Sequence, residues 1–192
     1  MDVVAGVDIG GELSCFVLMM CSYMILYLYL FLYSGSHVGI GLIHTESDEL
    51  ASEAVHLLAT DFDFTSVDVL VDAVVTNIKM MVTKLGCRLI GVGIGIPGQT
   101  KDGIFIGASN VFVGQTNLPI CAMVTKALGV PSIIMNDADA ILAGEVYNSK
   151  FLQSFGQNTA TVMVTLGTGV GVSLYLNGMI YESAGATLEG GH

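Results

Sequence analysis

Basic side chains are scarce in this sequence, in which six lysines and arginines stand against 17 aspartates and glutamates, giving a formal net charge of −11. The first of the six is Lys79. Nucleic acids and anionic membrane surfaces attract basic patches, so the charge balance argues against both as partners. A secretory signal needs a basic n-region, and the N-terminal residues have none. An acidic chain can still bind phosphates, through backbone N–H groups and a divalent cation.

The sequence also lacks a cysteine pair at metal-binding or redox spacing. Its four cysteines form no C-x-x-C pair, and no histidine stands beside them at zinc spacing. Cysteines in this arrangement do not indicate a disulfide framework. We therefore expect a reducing compartment, the cytoplasm.

Charge is absent altogether from residues 13–33. A membrane-spanning helix needs about 20 apolar residues, so this run is long enough to cross a bilayer. A membrane location is thus the alternative to a cytoplasmic one. A pair of short helices that doubles back would be too short to cross.

Outside this run, the sequence alternates between strand-like and helix-like segments in the manner of an α/β protein. Strands are predicted in "VVAGVDIGG", "HVGIGLIH", "RLIGVGIGIPG", "GIFIGASN" and "PSIIMND", and strand, turn, strand, turn, strand in the segment after residue 158. Apolar residues recur at three and four from residue 67 to 85, with Thr65 or Ser66 as N-cap and Gly86 past the end. Further helices are predicted at 119–128 and 138–147.

Two glycine turns and one acidic strand end are candidates for chemistry. "DIGG" and "LGTGVG" each follow a strand, and glycines there let backbone N–H groups approach a polyphosphate, although an ordinary tight hairpin has the same pattern. Asp8 adds a carboxylate suited to magnesium. "NDAD" places Asn136 and Asp137 at a strand end before a helix, where α/β folds carry catalytic groups, although Asp137 would also serve as a helix cap.

Six motifs, taken in order, resemble the ROK family of repressors, open reading frames and sugar kinases, within the actin-like ATPase superfamily. They are "VDIGG", "GVGIGIPG", "GASN", "MNDADAILAGE", "VTLGTGVGV" and "EGGH". The resemblance implies an α/β, actin-like ATPase (ribonuclease H-like) fold. It implies a complete N-terminal lobe at 1–135, with an apolar insertion at 12–34, and the start of a truncated second lobe at 136–192.

The resemblance also implies an ATP-dependent hexose kinase, glucokinase-like, with Asp137 as the general base. Glucose is the first expected substrate, with N-acetylmannosamine, mannose and fructose next, and a homo-oligomer is possible. The residues implied to bind sugar are Gly98, Asn110, Asn136, Glu189 and His192. Those implied to bind ATP are Asp8, Gly10, Gly11, Ser36, Gly167, Thr168 and Gly169, with Asp8 holding magnesium (Mg2+).

Departures from the family leave a second interpretation open. Glu189 and His192 share one face only if "EGGH" is helical. His192 would take part in a zinc (Zn2+) site only if the chain continues into the cysteine loop of the family. No helix-turn-helix precedes "DIGG", which disfavours the repressor branch. The alternative is a catalytically inactive sugar-binding or regulatory relative, with or without membrane association.

The apolar run interrupts an otherwise continuous family motif. Joining "VDIGG" directly to "SHVGIGLI" restores a glycine hairpin with Ser36 in the position usual for Thr or Ser. The codons of Gly11 and Glu12 can open like an intron, and those of residues 31–35 can close like one in the same phase. We therefore favour a retained intron over a membrane anchor.

Overall fold

The computed structural model describes residues 2–9, 16–21, 24–29, 37–45, 51, 55–58, 66–107, 112, 114–148, 160–166, 170–181 and 188–191. The helices in these ranges are α1 (Val67–Leu85), α2 (Ile120–Leu128) and α3 (Asp137–Asn148). The strands of the first part of the chain are β1 (Asp2–Ile9), β2 (Phe16–Cys21), β3 (Met24–Tyr29), β4 (His37–His44), β5 (Val55–Leu58), β6 (Arg88–Ile96), β7 (Gln99–Lys101), β8 (Ile104–Gly107) and β9 (Ser132–Asn136). The later strands are β10 (Ala160–Leu166), β11 (Val170–Leu176), β12 (Met179–Ile180) and β13 (Leu188–Gly191).

A five-stranded sheet in the order β5-β4-β1-β6-β9 forms the centre of the molecule. β1 pairs antiparallel with β4, from Val3 opposite His44 to Ile9 opposite Val38. It pairs parallel with β6, and β6 pairs parallel with β9. The antiparallel hairpin predicted for the two strands around "DIGG" is therefore confirmed.

Helix α1 forms where the apolar periodicity predicts it. Ser66 is its N-cap and accepts a hydrogen bond from the N–H of Val69, and Gly86 ends it in the left-handed conformation at φ 61°. One face of the helix is buried and carries Leu70, Val71, Val74, Val75, Ile78 and Met81. This face joins the side chains of alternate residues of β1, β4 and β6 in the main core, so it fixes which side of the sheet faces α1.

The opposite face of the sheet carries glycine where strands normally carry side chains. Gly6 pairs with Gly41 on one side and Gly93 on the other, and Asp8 pairs with Gly39 and Gly95. We call these two lines of paired residues the glycine rows. Beside them, α3 packs on the same face through a small cluster of Val4, Ala140 and Ile141, with Ile90, Met135 and Met163 around it.

The apolar run contains two strands, so neither helical alternative, a single span or a doubled-back pair of helices, describes it. β2 and β3 form an antiparallel hairpin, from Phe16 opposite Tyr29 to Cys21 opposite Met24. β2 lies beside α3, and Cα atoms of β3 come within 8 Å of those of β1, β4 and β6. Packed sheets usually lie about 10 Å apart, and the glycine rows explain the closer approach. Within the described residues, no helix is both long enough and apolar enough to span a membrane.

A second sheet contains β10, β11, β12 and β13. β10 and β11 are antiparallel, from Ala160 opposite Leu176 to Leu166 opposite Val170, and β12 continues the meander as predicted. β13 pairs with β11. Residues 188–191 are therefore a strand, and the helical condition placed on "EGGH" is not met.

Candidate functional site

The carboxyl ends of three parallel strands bring the candidate residues to one edge of the central sheet. Asp8 on β1 lies opposite Gly95 on β6, and Ile96 at the end of β6 lies opposite Asn136 at the end of β9. Pro97 and Gly98 follow β6 directly. Ligands of α/β folds bind beyond this edge, so the register supports a common location for the predicted groups.

Asn136 is the best-defined polar group at this edge. Its side chain is 4% exposed, and its Nδ2 donates to the carbonyl oxygen of Gly98 at 3.0 Å. Its Oδ1 accepts from the N–H groups of Ala138 at 2.9 Å and Asp139 at 3.3 Å. An amide has two N–H donors, so one Nδ2 proton is not used in these bonds. The predicted hydrogen bond from Asn136 to a sugar hydroxyl can only come from that proton.

These bonds identify the residue that caps α3. The oxygen of Asn136 accepts from the second and third N–H groups of the helix, which is the pattern of an N-cap. Asp137, the first residue of α3, is half-buried, and its Oδ1 accepts from the N–H of Ala138 at 2.8 Å. Because Asn136 supplies the cap, the capping explanation for Asp137 is weakened, and its role as base remains a prediction.

Gly98 has the conformation that its predicted role requires. It is buried and has φ 113°, in the region that favours glycine. Its backbone therefore turns sharply after β6, and its carbonyl meets the Asn136 amide. A side chain at this position would strain the turn that ties the ends of β6 and β9 together.

The two predicted glycine turns each follow a strand whose end is paired antiparallel with a later strand, Ile9 with Val38 and Leu166 with Val170. The predicted ATP-binding residues Gly10, Gly11, Ser36, Gly167, Thr168 and Gly169 lie outside the described residues, so their role remains a prediction.

The predicted sugar-binding residues of the second lobe are placed only in part. Asn110 and His192 lie outside the described residues. Glu189 is on β13, where only its strand position is described. Successive side chains of a strand alternate between faces, so the i, i+3 argument for a shared face with residue 192 does not apply. Their sugar-binding role and the zinc site at His192 remain predictions.

A magnesium ion near Asp8 is compatible with the neighbouring strands. The residues paired with Asp8, Gly39 and Gly95, have no side chains, so neither adjacent strand places one beside it. A carboxylate oxygen is a donor that magnesium prefers, and the remaining ligands are commonly waters and substrate phosphates. No group of three His, Cys, Asp or Glu side chains that could hold a metal occurs among the described residues.

Sequence reasoning missed one pair of residues close to this edge. Asp139, in the first turn of α3, and Ser173, on β11, are 9% and 1% exposed, and the Ser173 hydroxyl donates to Asp139 Oδ1. The only sequence signals are an acid three residues after the N-cap and a serine within an apolar strand. Neither signal indicates that the two side chains meet, because Asp139 lies on helix α3 and Ser173 lies on a strand of the second sheet, 34 residues later.

The fold and the edge residues define an α/β protein of the actin-like ATPase class. Inorganic polyphosphate/ATP-glucomannokinase from Arthrobacter sp. strain KM has the same fold, with a TM-score of 0.69 and 22% identity over 96% of this chain and 62% of that one. A ROK family glucokinase from Streptomyces griseus, solved with glucose and AMPPNP, gives a TM-score of 0.61 and 20% identity over 97% of this chain and 48% of that one.

The chain belongs to the ROK family, whose model matches residues 34–192. It is 34% identical to an N-acetyl-D-glucosamine kinase of Escherichia coli over 59% of this chain and 36% of that one. It is 32% identical to a glucokinase of Halalkalibacterium halodurans over 54% of this chain and 31% of that one. A putative xylose repressor of a Caldicellulosiruptor species is 30% identical over 54% of this chain and 25% of its own length. The chain thus spans a quarter to about a third of these curated relatives.

Proposed function

We propose that this protein, in its full-length form, is an ATP-dependent hexose kinase with Asp137 as the general base. The observation that carries the proposal is that Asn136 caps α3, so that the neighbouring Asp137 is not needed as the cap. A carboxylate at the carboxyl edge of parallel strands, next to a buried and fixed amide, is suited to position a substrate hydroxyl. Similarity to two sugar kinases supports the choice of reaction.

The reaction moves the γ-phosphoryl group of ATP to a hydroxyl of the sugar. As the sugar oxygen forms its bond to the γ-phosphorus, the bond from that phosphorus to the bridging oxygen of ADP breaks. Asp137 accepts the hydroxyl proton, and ADP leaves. Asp8 would hold the magnesium ion bound with ATP, which would neutralise charge on the phosphates. Phosphoryl transfer needs little covalent help from the protein, so Asp137 acts mainly by holding the hydroxyl in line.

Sugar recognition is assigned to the groups around Asp137. The remaining Nδ2 proton of Asn136 donates to a sugar hydroxyl, and Gly98 lets the backbone come close to the ring. Asn110, Glu189 and His192 complete the sugar site in the proposal. Glucose is the first substrate to test, followed by N-acetylmannosamine, mannose and fructose. A cytoplasmic location and a homo-oligomer belong to the same proposal.

A second candidate function is a regulatory or sugar-binding protein without turnover. Its support is the similarity to a putative xylose repressor over 54% of the chain. Such a protein binds a sugar and phosphorylates nothing, so the two candidates differ in one measurement.

The deciding experiment measures ADP formation by the full-length protein with ATP, magnesium and each hexose in turn. Hexose-dependent ADP formation that disappears in Asp137→Asn supports the kinase. Sugar binding in calorimetry without ADP formation supports the regulatory candidate and rejects the kinase. A sugar panel that includes xylose distinguishes the substrate class in either case.

A further inference from the structure

A buried hydrogen bond joins the helix that carries Asp137 to the second sheet. The Ser173 hydroxyl donates to Oδ1 of Asp139, and both residues are buried. Burying a carboxyl and a hydroxyl is costly unless they are hydrogen-bonded, so this pair has a defined geometry in the folded chain.

The two ends of this bond lie close in sequence to the two halves of the proposed site. Asp139 is two residues after Asp137, and its own N–H is bonded to Asn136 Oδ1. Ser173 is on β11, which starts at Val170 directly after the glycine turn 167–169. α3 also lies against β10 and β12 and contacts Met163 of β10 through its buried face. Helix α3 therefore packs against both sheets.

We propose that Asp139 and Ser173 are a positioning pair, which holds the start of α3 at a fixed place relative to β11, the strand that follows the predicted phosphate turn. The inference rests on the proposed kinase function. The pair sets the separation between the Asp137 carboxylate and the γ-phosphoryl group that the turn would hold. Neither residue touches the reacting atoms. A shift of the base by about 1 Å is enough to lower a rate by about 100-fold, so a single buried bond between the two halves affects turnover.

A role for Asp139 within its own helix does not explain its hydrogen bond to Ser173. An acid in the third position of a helix commonly stabilises the helix N-terminus by its charge or by a reciprocal cap. The first-turn N–H groups of Ala138 and Asp139 are already bonded to Asn136. Asp139 Oδ1 instead accepts from a strand of the other sheet. A local helix role does not require Ser173, whereas a positioning role does.

The test is a double-mutant cycle in the full-length protein with Asp139→Ala, Ser173→Ala and both together. We expect each single change to lower kcat by about 10- to 100-fold while KM for the sugar stays within about threefold. The double variant should be no slower than the slower single variant, because each single change already breaks the hydrogen bond between Asp139 and Ser173. Asp139→Asn keeps an acceptor oxygen and should recover most of kcat. Asp68→Ala, in the exposed first turn of α1, is the matched control and should leave kcat unchanged.

The outcomes distinguish failure of the positioning role from failure of the proposed kinase function. Ser173→Ala removes only a hydroxyl, so it carries the test if Asp139→Ala does not fold. Variants that melt at lower temperature but keep wild-type kcat overturn the positioning role and leave the kinase in place. Additive losses in the double variant also overturn it. A wild-type protein without hexose-dependent turnover overturns the proposed function and, with it, the catalytic consequence of the pair.

Discussion

The Asn136 amide and the Gly98 carbonyl form a 3.0 Å hydrogen bond that joins the ends of two neighbouring parallel strands. The same amide caps α3 through its oxygen. One buried side chain therefore fixes the loop after β6 and the start of the helix that carries Asp137. The geometry of the candidate site therefore depends on this side chain, whether or not it also contacts a sugar.

Asn136→Asp tests this dependence because it keeps the capping oxygen and removes the donor to Gly98. A carboxylate would then face a carbonyl oxygen in a buried place. We expect a loss of about 1–3 kcal/mol in the free energy of unfolding, measured with urea. Asn77→Asp is a matched control, since its Nδ2 donates to the Ala73 carbonyl on the part-buried surface of α1. A loss at position 136 no larger than at position 77 would contradict the interpretation.

Asp137→Asn tests the base in the full-length protein. Removal of a positioned base should lower kcat by about 10² to 10⁴, while sugar affinity stays within a few-fold. Thermal stability should hardly change, because Asn136 supplies the cap. The rate comes from coupled ADP detection and the affinity from calorimetry. Retained turnover would remove Asp137 from the mechanism.

Gly169→Val tests the turn between β10 and β11. A branched side chain there should block the approach of the backbone to the phosphates, so ATP affinity should fall much more than sugar affinity. Titration of each ligand gives the comparison. Equal loss of both affinities would indicate general misfolding and would leave the turn without a phosphate role. Val162→Ala, on the exposed surface of β10, is a control for the sheet itself.

Removal of residues 12–35 tests the origin of the apolar run. Ile9 pairs with Val38, so the shortened chain has four residues, Gly10, Gly11, Ser36 and His37, between those partners. If the pairing continues by one step, Gly11 and Ser36 form a two-residue hairpin loop with glycine first, which favours a type II′ turn. We expect the shortened protein to be more soluble and to keep the helical signal of its circular dichroism spectrum, because the elements removed, β2 and β3, are strands.

Two observations would contradict that expectation. Aggregation of the shortened protein would mean that β2 and β3 are a necessary cover for the glycine rows. If every transcript retains the 24 codons, and the native protein stays in membranes after alkaline extraction, the retained-intron explanation fails. A major transcript without these codons would support it.

Periodicity and end signals were sufficient to predict most of the regular structure. α1 was recognisable from its spacing and from Ser66 and Gly86 at its ends, because both caps act locally. The pairing of β1 with β4 and the strand that ends at Asn136 were predictable from apolar runs that end in glycine or polar residues. The ROK motifs supplied the fold class, which the solved relatives confirm, and this could not have come from periodicity alone.

The errors have physical causes. An apolar run without charges does not distinguish a helix from two strands by periodicity, so the sequence did not predict strands β2 and β3. β5 has only four residues, beside an acidic stretch, and gives little pattern. Asn and Asp cap helices about equally well, so the sequence could not decide which of Asn136 and Asp137 forms the cap. The contact of Asp139 with Ser173 joins α3 to the second sheet across 34 residues of sequence, so it leaves no local signal.

The central place of β1 has a consequence for synthesis on the ribosome. β1 lies between β4 and β6, yet residues 2–9 precede both partners in the chain. Its parallel partner is complete only at Ile96, after α1 has formed the crossover. Until then, β1 can pair only with β4, and its other edge is without its partner. Long-range parallel pairing of this kind is slow and leaves hydrophobic segments and unpaired strand edges exposed to aggregation. The nascent chain is therefore a natural client for chaperones that bind early.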